Sequence, residues 1–414
     1  MIVRRTAAVL AATVVIGTAL VPAAVADGSS PSPAASPATP SGLYGSTDPT
    51  YDGVWRQSLA LLAQHTVGER PAAKAVDWLA GQQCADGAFA AYRADPAARC
   101  DARTMVDTNS TAAAVQALAA LGGHADDTDR AVTWLKSAQN KDGGWGYTAG
   151  GASDANSTSV VVGALVAAGR TPADVRSKDG RSPYDALVKL SIACDGEGAD
   201  AGGFAYQPDK RGRLAANADA TAAAVLGSLG KGFAATAAKT PSHTLTCEKT
   251  DRPTPAQAAA RGAFHLAGLL GGTPYLKSAM PGAKDQPDYG NTADAVVALA
   301  AQGAGTDTKK PLAWLEKNSG AWAAKAGPAA YAQLIFAAHA TGTDPRAFGG
   351  TDLVARLGAT GPATQATTAK DGADHKDGTS DDNGVSVWWI VGVGLVGGIG
   401  IGFLISGRSR KQQP

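Results

Sequence analysis

The feature that most limits the fold of this chain is a stretch of about a dozen residues that occurs more than once. Its clearest copy covers residues 134–145, and an earlier copy covers residues 78–89. Both read aromatic, Leu, three residues, Gln, three residues, Gly, one residue, aromatic. A degraded third copy ends at residues 202–206, and Trp314 with Leu315 begins a fourth that lacks the Asp-Gly turn. A unit repeated at this length determines the architecture, because such units bury their apolar faces by stacking on one another.

Ala-rich segments between the copies predict a second layer of helices. Each segment begins with an N-cap type residue and ends at a Gly suited to the position after a helix. The segments are apolar on almost every side, which predicts burial, whereas the helices before them carry charges on one side. The sequence therefore predicts an all-α array of αα-hairpins with inner and outer helices, the first built from residues 54–65 and 72–82. The predicted inner helices that follow are residues 109–122, 156–169, 217–230, 291–303 and 331–342.

The repeated pattern resembles the QW repeat of the terpenoid cyclase and prenyltransferase superfamily. Residues 134–145 match the whole pattern, and residues 78–89 match it with Phe89 in place of the last Trp. The resemblance covers roughly residues 43–358 and implies an α/α toroid, in which the hairpins close into a barrel. It implies a fold rather than an activity, since one fold supports many functions through different sites.

The catalytic motifs of related toroids are incomplete in this sequence. Asp126, Asp127 and Asp129 resemble the Asp-x-Asp-Asp acid of squalene-type cyclases, but their order differs and they precede an outer helix, which favours N-capping. Cys194 lies in a stretch without the Gln of an internal thioester, and no Asp, Cys and His set matches the zinc site of protein prenyltransferases. We therefore expect no catalytic residue, no metal and no cofactor, and we favour a protein that is not an enzyme.

The starts of the predicted inner helices are rich in polar residues. Capping explains a single Ser, Thr, Asp or Asn at each start, but it does not explain three or four in a row. Because the inner helices of a toroid run parallel, we expect these side chains to meet at one mouth of the barrel and to form a concave ligand site. The predicted ligand-binding residues are Asp107, Asn109, Thr111, Asp154, Asn156, Thr158, Asn217, Asp219, Asn291, Thr292, Asp294 and Tyr331.

Residues 110–118 resemble the starts of inner helices in the cobalamin-transport proteins intrinsic factor and transcobalamin. Those proteins are secreted, disulfide-bonded toroids that hold the vitamin at the mouth of the barrel. The resemblance implies a small-molecule ligand, with a corrinoid passed to a membrane transporter as the specific hypothesis. Two alternatives stay open. One is a terpenoid cyclase or prenyltransferase type of enzyme acting on isoprenoid or lipid substrates, and the other is a structural domain for interactions at the cell surface.

The beginning of the chain predicts export. Residues 1–26 read as a signal peptide, with Arg4 and Arg5 before an apolar run and an Ala-x-Ala cleavage site. Residues 27–42 are rich in Ser and Pro and read as a linker. We therefore expect the toroid, predicted to span residues 43–358, to lie outside the cell.

The end of the chain predicts a membrane anchor. Residues 359–384 read as a flexible stalk, residues 385–405 as a single helix that spans the lipid bilayer, and residues 406–414 as a basic tail in the cytoplasm. Gly394, Gly398 and Gly402 share one face of that helix and predict a membrane-protein partner. The chain is thus expected to be a single-pass protein of the cell membrane.

Four cysteines in an exported chain predict two disulfides. Three pairings can be drawn, and we expect the sequential one, Cys84 with Cys100 and Cys194 with Cys247. No Cys-x-x-Cys spacing indicates a zinc site in their place. The formal net charge is +1 and no basic stripe is present, which argues against nucleic acid as a partner.

Overall fold

The computed structural model describes residues 40–194, 198–240, 245–279, 283 and 285–365. The predicted signal peptide, the predicted membrane helix with Gly394, Gly398 and Gly402, and the basic tail lie outside these ranges. Inside them, no helix combines the length and the hydropathy that a membrane span requires. The membrane anchor therefore stays a prediction from the sequence.

The described residues are mainly helical, and each inner helix is followed along the chain by one or two outer helices. The inner helices are α1, α3, α5, α7, α9 and α12, and the others lie outside them. In chain order the helices are α1 (Gly53–Thr66), α2 (Ala73–Gly81), α3 (Thr108–Leu121), α4 (Ala125–Ser137), α5 (Ala155–Ala167), α6 (Pro183–Leu190), α7 (Ala218–Ser228), α8 (Pro255–Gly272), α9 (Tyr289–Gln302), α10 (Gly305–Asn318), α11 (Gly320–Ala326), α12 (Pro328–Thr341) and α13 (Leu353–Gly358), with a 3₁₀ turn at Pro172–Asp174.

The inner helices close into a ring. In the order α1, α3, α5, α7, α9 and α12, each packs against the next, and α12 packs against α1. Outer helices lie across the joints, α2 against α1 and α3, and α8 against α7 and α9. Every residue from 108 to 118 in α3 and from 155 to 165 in α5 is buried, as the lack of a polar face predicts. The predicted α/α toroid is therefore the observed fold.

Two short antiparallel ladders accompany the helices, and the prediction of helices alone missed them. They are β1 (Phe89–Ala90) with β2 (Val106–Asp107), and β3 (Leu276–Lys277) with β4 (Pro287–Asp288). Phe89, the last residue of the first repeat, lies opposite Asp107, the N-cap of α3. Leu276 lies opposite Asp288, the N-cap of α9, in the same way. Each ladder thus fixes where an inner helix begins.

The spacing of Gln and Gly in the repeat has a direct structural cause. The side-chain amide of Gln139 donates to the Gly143 carbonyl at 2.8 Å, and that of Gln83 donates to the Gly87 carbonyl at 3.1 Å. Both glycines have positive φ, 94° and 96°, where other residues are strained. A side chain at Gly87 would also collide with the backbone carbonyl of Arg130 in α4. The repeat is therefore a turn that closes on itself and on the next outer helix.

The last aromatic residue of the repeat joins an outer helix to the next inner helix. Trp145 is fully buried, and its indole N–H donates to the Leu135 carbonyl of α4 at 2.7 Å. Its backbone N–H donates to the hydroxyl of Thr158 in α5 at 3.0 Å. The same backbone-to-hydroxyl bond recurs from Phe89 to Thr111 at 2.9 Å, from Phe204 to Thr221 at 2.9 Å and from Leu276 to Thr292 at 3.0 Å.

The segment after α7 fills the centre of the ring. Phe233 is 1% exposed, meets Trp55 of α1 edge-on with ring centroids 5.5 Å apart, and stacks on Phe336 of α12 at 6.0 Å. Since α1 lies across the ring from α7, Phe233 must lie inside the ring. Ala234 and Ala235 beside it are buried as well. The barrel therefore has a packed centre at the level of Trp55.

The two ends of the described domain meet. Tyr44 is fully buried, and its hydroxyl lies 3.1 Å from Gln64 Oε1 and 2.9 Å from the Pro362 carbonyl. The Gly45 N–H donates to the Thr360 carbonyl at 2.8 Å. Residues 359–365, which composition places in the stalk, thus still pack against the barrel.

Both predicted disulfides are present. Cys84 bonds to Cys100, and Cys194 bonds to Cys247. The first closes a loop of the chain between α2 and β2, and the second joins the segment after α6 to the segment before α8. The sequential pairing is therefore confirmed.

Candidate binding site

The first turns of the inner helices lie at the same end of the barrel. The Val54 N–H at the start of α1 donates to the Ala91 carbonyl, which follows the first repeat. In the next two repeats, the Thr108 N–H of α3 donates to the Tyr147 carbonyl and the Ala155 N–H of α5 to the Tyr206 carbonyl. The end of the barrel where these helices begin is called the mouth below. Its polar residues fall into two sectors that differ in how their side chains are bonded.

The sector formed by the starts of α5, α7 and α9 with α12, called the paired sector, holds polar side chains that bond to one another. The Asn156 amide donates to Asp219 at 2.7 Å across the α5–α7 joint. The Gln333 amide of α12 donates to Asp294 of α9 at 3.1 Å. Further bonds in this sector join Asn291 to Asp288 at 2.8 Å and Ser157 to Asp154 at 2.9 Å.

Burial, together with neighbouring carboxylate charges in the case of Asp219 and Asp294, raises the pKa of the carboxyls in the paired sector. Burial, followed by the charges of Asp288 and Asp154, raises the pKa of Asp219 to about 7, although the Asn156 hydrogen bond opposes this. Burial also raises the pKa of Asp154 to about 6. Burial, then the charges of Asp219 and Asp288, hold the pKa of Asp294 well above its usual range. These carboxyls therefore act as one electrostatic group.

The second sector lies between the starts of α1 and α3 and contains a pocket of about 520 Å³, called the mouth pocket below. Its roof is the chain that the Cys84–Cys100 disulfide holds near α2. Met105 and Tyr51 stand at the rim, 82% and 63% exposed. The residues that line the pocket and are used below are Tyr51, Asp52, Trp55, Tyr92, Arg93, Arg99, Asp101, Arg103, Met105, Asp107, Asn109 and Tyr147.

The mouth pocket contains buried polar atoms that the protein leaves unbonded. Asn109 is 3% exposed, and neither its amide oxygen nor its amide nitrogen has a hydrogen-bond partner among the described residues. Asp107 is also 3% exposed, and its Oδ1 accepts the Ser110 N–H at 2.6 Å as the N-cap of α3. Its Oδ2 has no partner within the described ranges. Burial raises the pKa of Asp107 to about 6, although the Ser110 N–H, the Ser110 hydroxyl and the Asn109 N–H near the carboxyl all lower it.

The structure divides the predicted ligand residues into four groups. Thr111, Thr158 and Thr292 are buried and hold the repeat turns through their hydroxyls, so their polar atoms serve the scaffold. Tyr331 is 7% exposed in the first turn of α12. Only Asp107 and Asn109 line the mouth pocket, whereas Asp154, Asn156, Asn217, Asp219, Asn291 and Asp294 lie at the starts of α5, α7 and α9.

Several residues of the mouth are absent from the sequence prediction. Asp288 is the N-cap of α9, so it belongs to a polar helix start and could have been predicted from the sequence in the same way as the others. Gln333 carries no such signal, because its partner Asp294 lies on another helix. Trp55 and Tyr51 read as ordinary apolar residues near the first helix, and nothing local marks them as pocket walls.

Other potential chemistry lies outside the mouth. Asp126 and Asp127 are in the first turn of the outer helix α4, where Asp127 pairs with His124 at 3.1 Å and Arg130 at 2.6 Å. The predicted capping bond is not formed, since α4 has no side-chain cap. Among the residues that the structure describes, no group of His, Cys, Asp and Glu is arranged to hold a metal ion.

Comparison with known proteins supports the fold. The family model described as the prenyltransferase alpha-alpha toroid domain matches residues 54–178, which contain both complete repeats. This match confirms the resemblance to the terpenoid cyclase and prenyltransferase toroids that the repeats indicate. A search of curated proteins gave no match.

Solved structures show weaker likeness. An ent-copalyl diphosphate synthase from Streptomyces platensis is 15% identical with a TM-score of 0.45, and the alignment covers 70% of this chain and 50% of the synthase. A protein from Actinoplanes is 15% identical with a TM-score of 0.30, covering 69% of this chain and 100% of that one. The chain thus spans half the length of the synthase.

Proposed function

We propose that this chain is an extracytoplasmic binding protein whose toroid holds a small molecule in the mouth pocket. The observation that carries the proposal is Asn109, a buried amide that lines the pocket with both of its polar atoms unbonded within the described ranges. Leaving a buried polar group unsatisfied costs about 1–3 kcal/mol. A ligand that bonds to Asn109 would remove this cost, and this would favour its binding.

The pocket also has the dimensions and lining of a ligand site. Its volume of about 520 Å³ lies within the roughly 300–1,000 Å³ of pockets for small molecules. Trp55, Tyr51 and Met105 give it apolar walls, and Asp107 and Asn109 give it a few polar groups. The packed centre around Phe233 directs a ligand to this rim rather than to the lumen.

Export and membrane attachment belong to the same proposal. Two disulfides fit an oxidising compartment outside the cytosol. The predicted signal peptide and membrane helix would hold the toroid at the outer surface, where it can pass a ligand to a membrane transporter. A corrinoid is one test ligand, and no residue of the mouth pocket is specific for it.

The test is to identify small molecules retained by the purified full chain, using native mass spectrometry, and to measure thermal stabilisation by cobalamin and by a polyprenyl alcohol. Met105→Trp should fill the pocket from its exposed rim and abolish retention without touching the core. Leu269→Trp is the matched control, because Leu269 is 39% exposed on α8 and does not line the pocket. Equal retention by both variants would overturn the proposal.

A second candidate is an acid-catalysing enzyme on isoprenoid or lipid substrates, and Asp219 favours it. A carboxyl whose pKa is raised to about 7 keeps its proton near neutral pH and can act as a general acid. The chain would then convert an isoprenoid substrate, and Asp219→Asn would abolish the conversion. Product analysis by mass spectrometry after incubation with polyprenyl substrates tests this, and the absence of product from the wild-type chain counts against it.

A further inference from the structure

We infer that the mouth pocket takes an organic cation, a primary or secondary ammonium group on an apolar body. This inference rests on the proposed function, because it concerns the ligand of the same pocket. It stands on two unbonded acceptors, on the aromatic walls beside them and on the absence of a cation paired with Asp107 among the described residues.

The unbonded atoms of the floor include two acceptors close together in sequence on one helix start. Asp107 Oδ2 and Asn109 Oδ1 are buried and have no partner within the described chain. An ammonium group has N–H donors and no acceptor, so it can donate to either of these oxygens. The amide nitrogen of Asn109 is also unbonded and, being a donor, gains nothing from the ammonium group. A carboxylate or phosphate ligand would instead place its negative charge against Asp107.

The walls of the pocket suit a cation on an apolar body. Tyr51, Trp55, Tyr92 and Tyr147 all line it. Aromatic faces attract ammonium groups through the ring quadrupole and pack against alkyl chains at the same time. Burial and the charge of Asp107 raise the pKa of Tyr147, so its hydroxyl stays neutral.

The other charged groups of the pocket are already engaged or lie at the rim. Asp52 pairs with Arg56 at 3.0 Å. Arg93 donates through its two terminal nitrogens to the carbonyls of Gly81, Gln83, Pro96 and Ala98. The remaining rim charges are Asp95, Arg99, Asp101 and Arg103, which are exposed, and Arg103 pairs with Asp101 at 2.8 Å. Asp107 is therefore the buried carboxyl of this pocket that has no cationic partner among the described residues.

The experiment compares two probes with the same apolar body, hexylammonium and 1-hexanol, on the purified full chain by calorimetry. Hexylammonium should bind about tenfold to a hundredfold more tightly at pH 8, as expected for a charge-assisted hydrogen bond. Its affinity should fall as pH drops through about 6, where Asp107 takes up a proton, because the amine stays protonated over this range.

Variants distinguish recognition of the positive charge from binding of the apolar body in the pocket. Asp107→Asn should abolish the preference for hexylammonium, and it should still fold because Asn is a good N-cap. Asp77→Asn, which removes an exposed carboxyl on the outer helix α2 outside the pocket lining, should leave the preference intact. Met105→Trp should block both probes.

Two results would overturn the inference. One is equal affinity for the two probes, both blocked by Met105→Trp, which would leave the pocket as a binding site for neutral molecules. The other is a preference for hexylammonium that survives Asp107→Asn. If neither probe binds, the cation inference fails, whereas the proposed function is judged separately by the retention experiment.

Discussion

In the two sectors of the mouth, an asparagine at the same helical position has different hydrogen-bond partners. Asn109 is the second residue of α3 and Asn156 the second residue of α5. Asn156 finds Asp219 on the neighbouring helix at 2.7 Å. The second residue of the preceding helix in the ring is Val54 of α1, which has no polar side-chain atom, and that of the following helix is Asn156 itself. The side chain of Asn109 bonds to neither of them. The amide of Asn109 therefore has no hydrogen-bond partner among the described residues, while that of Asn156 joins two helices.

The difference shows that the same residue type at the same helical position can join two helices or stay unbonded, depending on the side chains that the neighbouring helices present. In the paired sector side chains bond across the helix joints, as Asn156 does to Asp219 and Gln333 does to Asp294, although the amide oxygens of Asn156 and Asn291 stay unbonded within the described ranges. Between α1 and α3 the neighbour supplies Trp55, and a roofed pocket takes the place of a polar partner. Three predictions test whether the two sectors are as separate as this implies.

The largest expected effect comes from Phe233, which fills the ring and packs against Trp55 of the mouth pocket. Phe233→Ala should lower the free energy of unfolding by about 3–5 kcal/mol, since a fully buried ring is removed. It should also weaken binding at the pocket, because Trp55 loses its support. Urea unfolding and calorimetry with the retained ligand would measure the two effects.

Phe204→Ala is the matched control in the paired sector. Phe204 is also fully buried, but it lies at the third repeat turn against Thr221 and supports no residue of the pocket. It should cost a similar amount of stability and leave the affinity of the pocket unchanged. An equal loss of affinity in both variants would show that packing in the paired sector affects binding at the mouth pocket as strongly as packing beside the pocket does.

The second prediction concerns pH and the paired sector. Because the pKa of Asp219 is raised to about 7 in the folded state, the folded chain holds a proton that the unfolded chain releases near pH 4. Its contribution to stability is therefore full below about pH 4 and is lost as pH rises to about 7, up to about 4 kcal/mol in all.

Asp219→Asn should remove most of this loss, so that unfolding free energies at pH 5 and pH 8 become more alike. The substitution also relieves Asp294, whose pKa the charge of Asp219 raises. Asp77→Asn is the control, an exposed carboxyl on the outer helix α2. A pH dependence that is the same in the wild type and in Asp219→Asn would contradict the assigned burial of this group.

Much of the fold could be predicted from the sequence, because the repeat is stabilised by contacts between residues that are close in sequence. The Gln139 to Gly143 bond and the burial of Trp145 explain why that spacing recurs, and recurrence implies stacked hairpins. The position of Phe233 could not be predicted. Its contacts are made across the ring, on helices that are distant in sequence, and no periodicity marks them.

The site was predictable only as a set of polar helix starts. Capping chemistry and parallel inner helices were enough to place Asp107, Asn109 and Asp219 at one mouth. Which of them stays unbonded depends on contacts between helices: Asp219 meets Asn156 of α5, whereas the amide of Asn109 has no partner among the described residues. That information is tertiary, so the sequence could not separate ligand groups from scaffold groups.

The smallest expected effect tests this separation at Thr111, which the sequence assigns to the ligand, with Thr221 as the equivalent scaffold residue. Thr111→Val should cost about 1–3 kcal/mol of stability, because the buried Phe89 N–H loses its acceptor. Thr221→Val should cost a similar amount through Phe204 in the other sector. Neither should change the affinity of the mouth pocket, although Thr111 follows Asn109 closely, and the Ser variants should restore stability by restoring the hydroxyl. A tenfold loss of affinity in Thr111→Val with normal urea unfolding would instead make Thr111 a ligand group and extend the site into the scaffold.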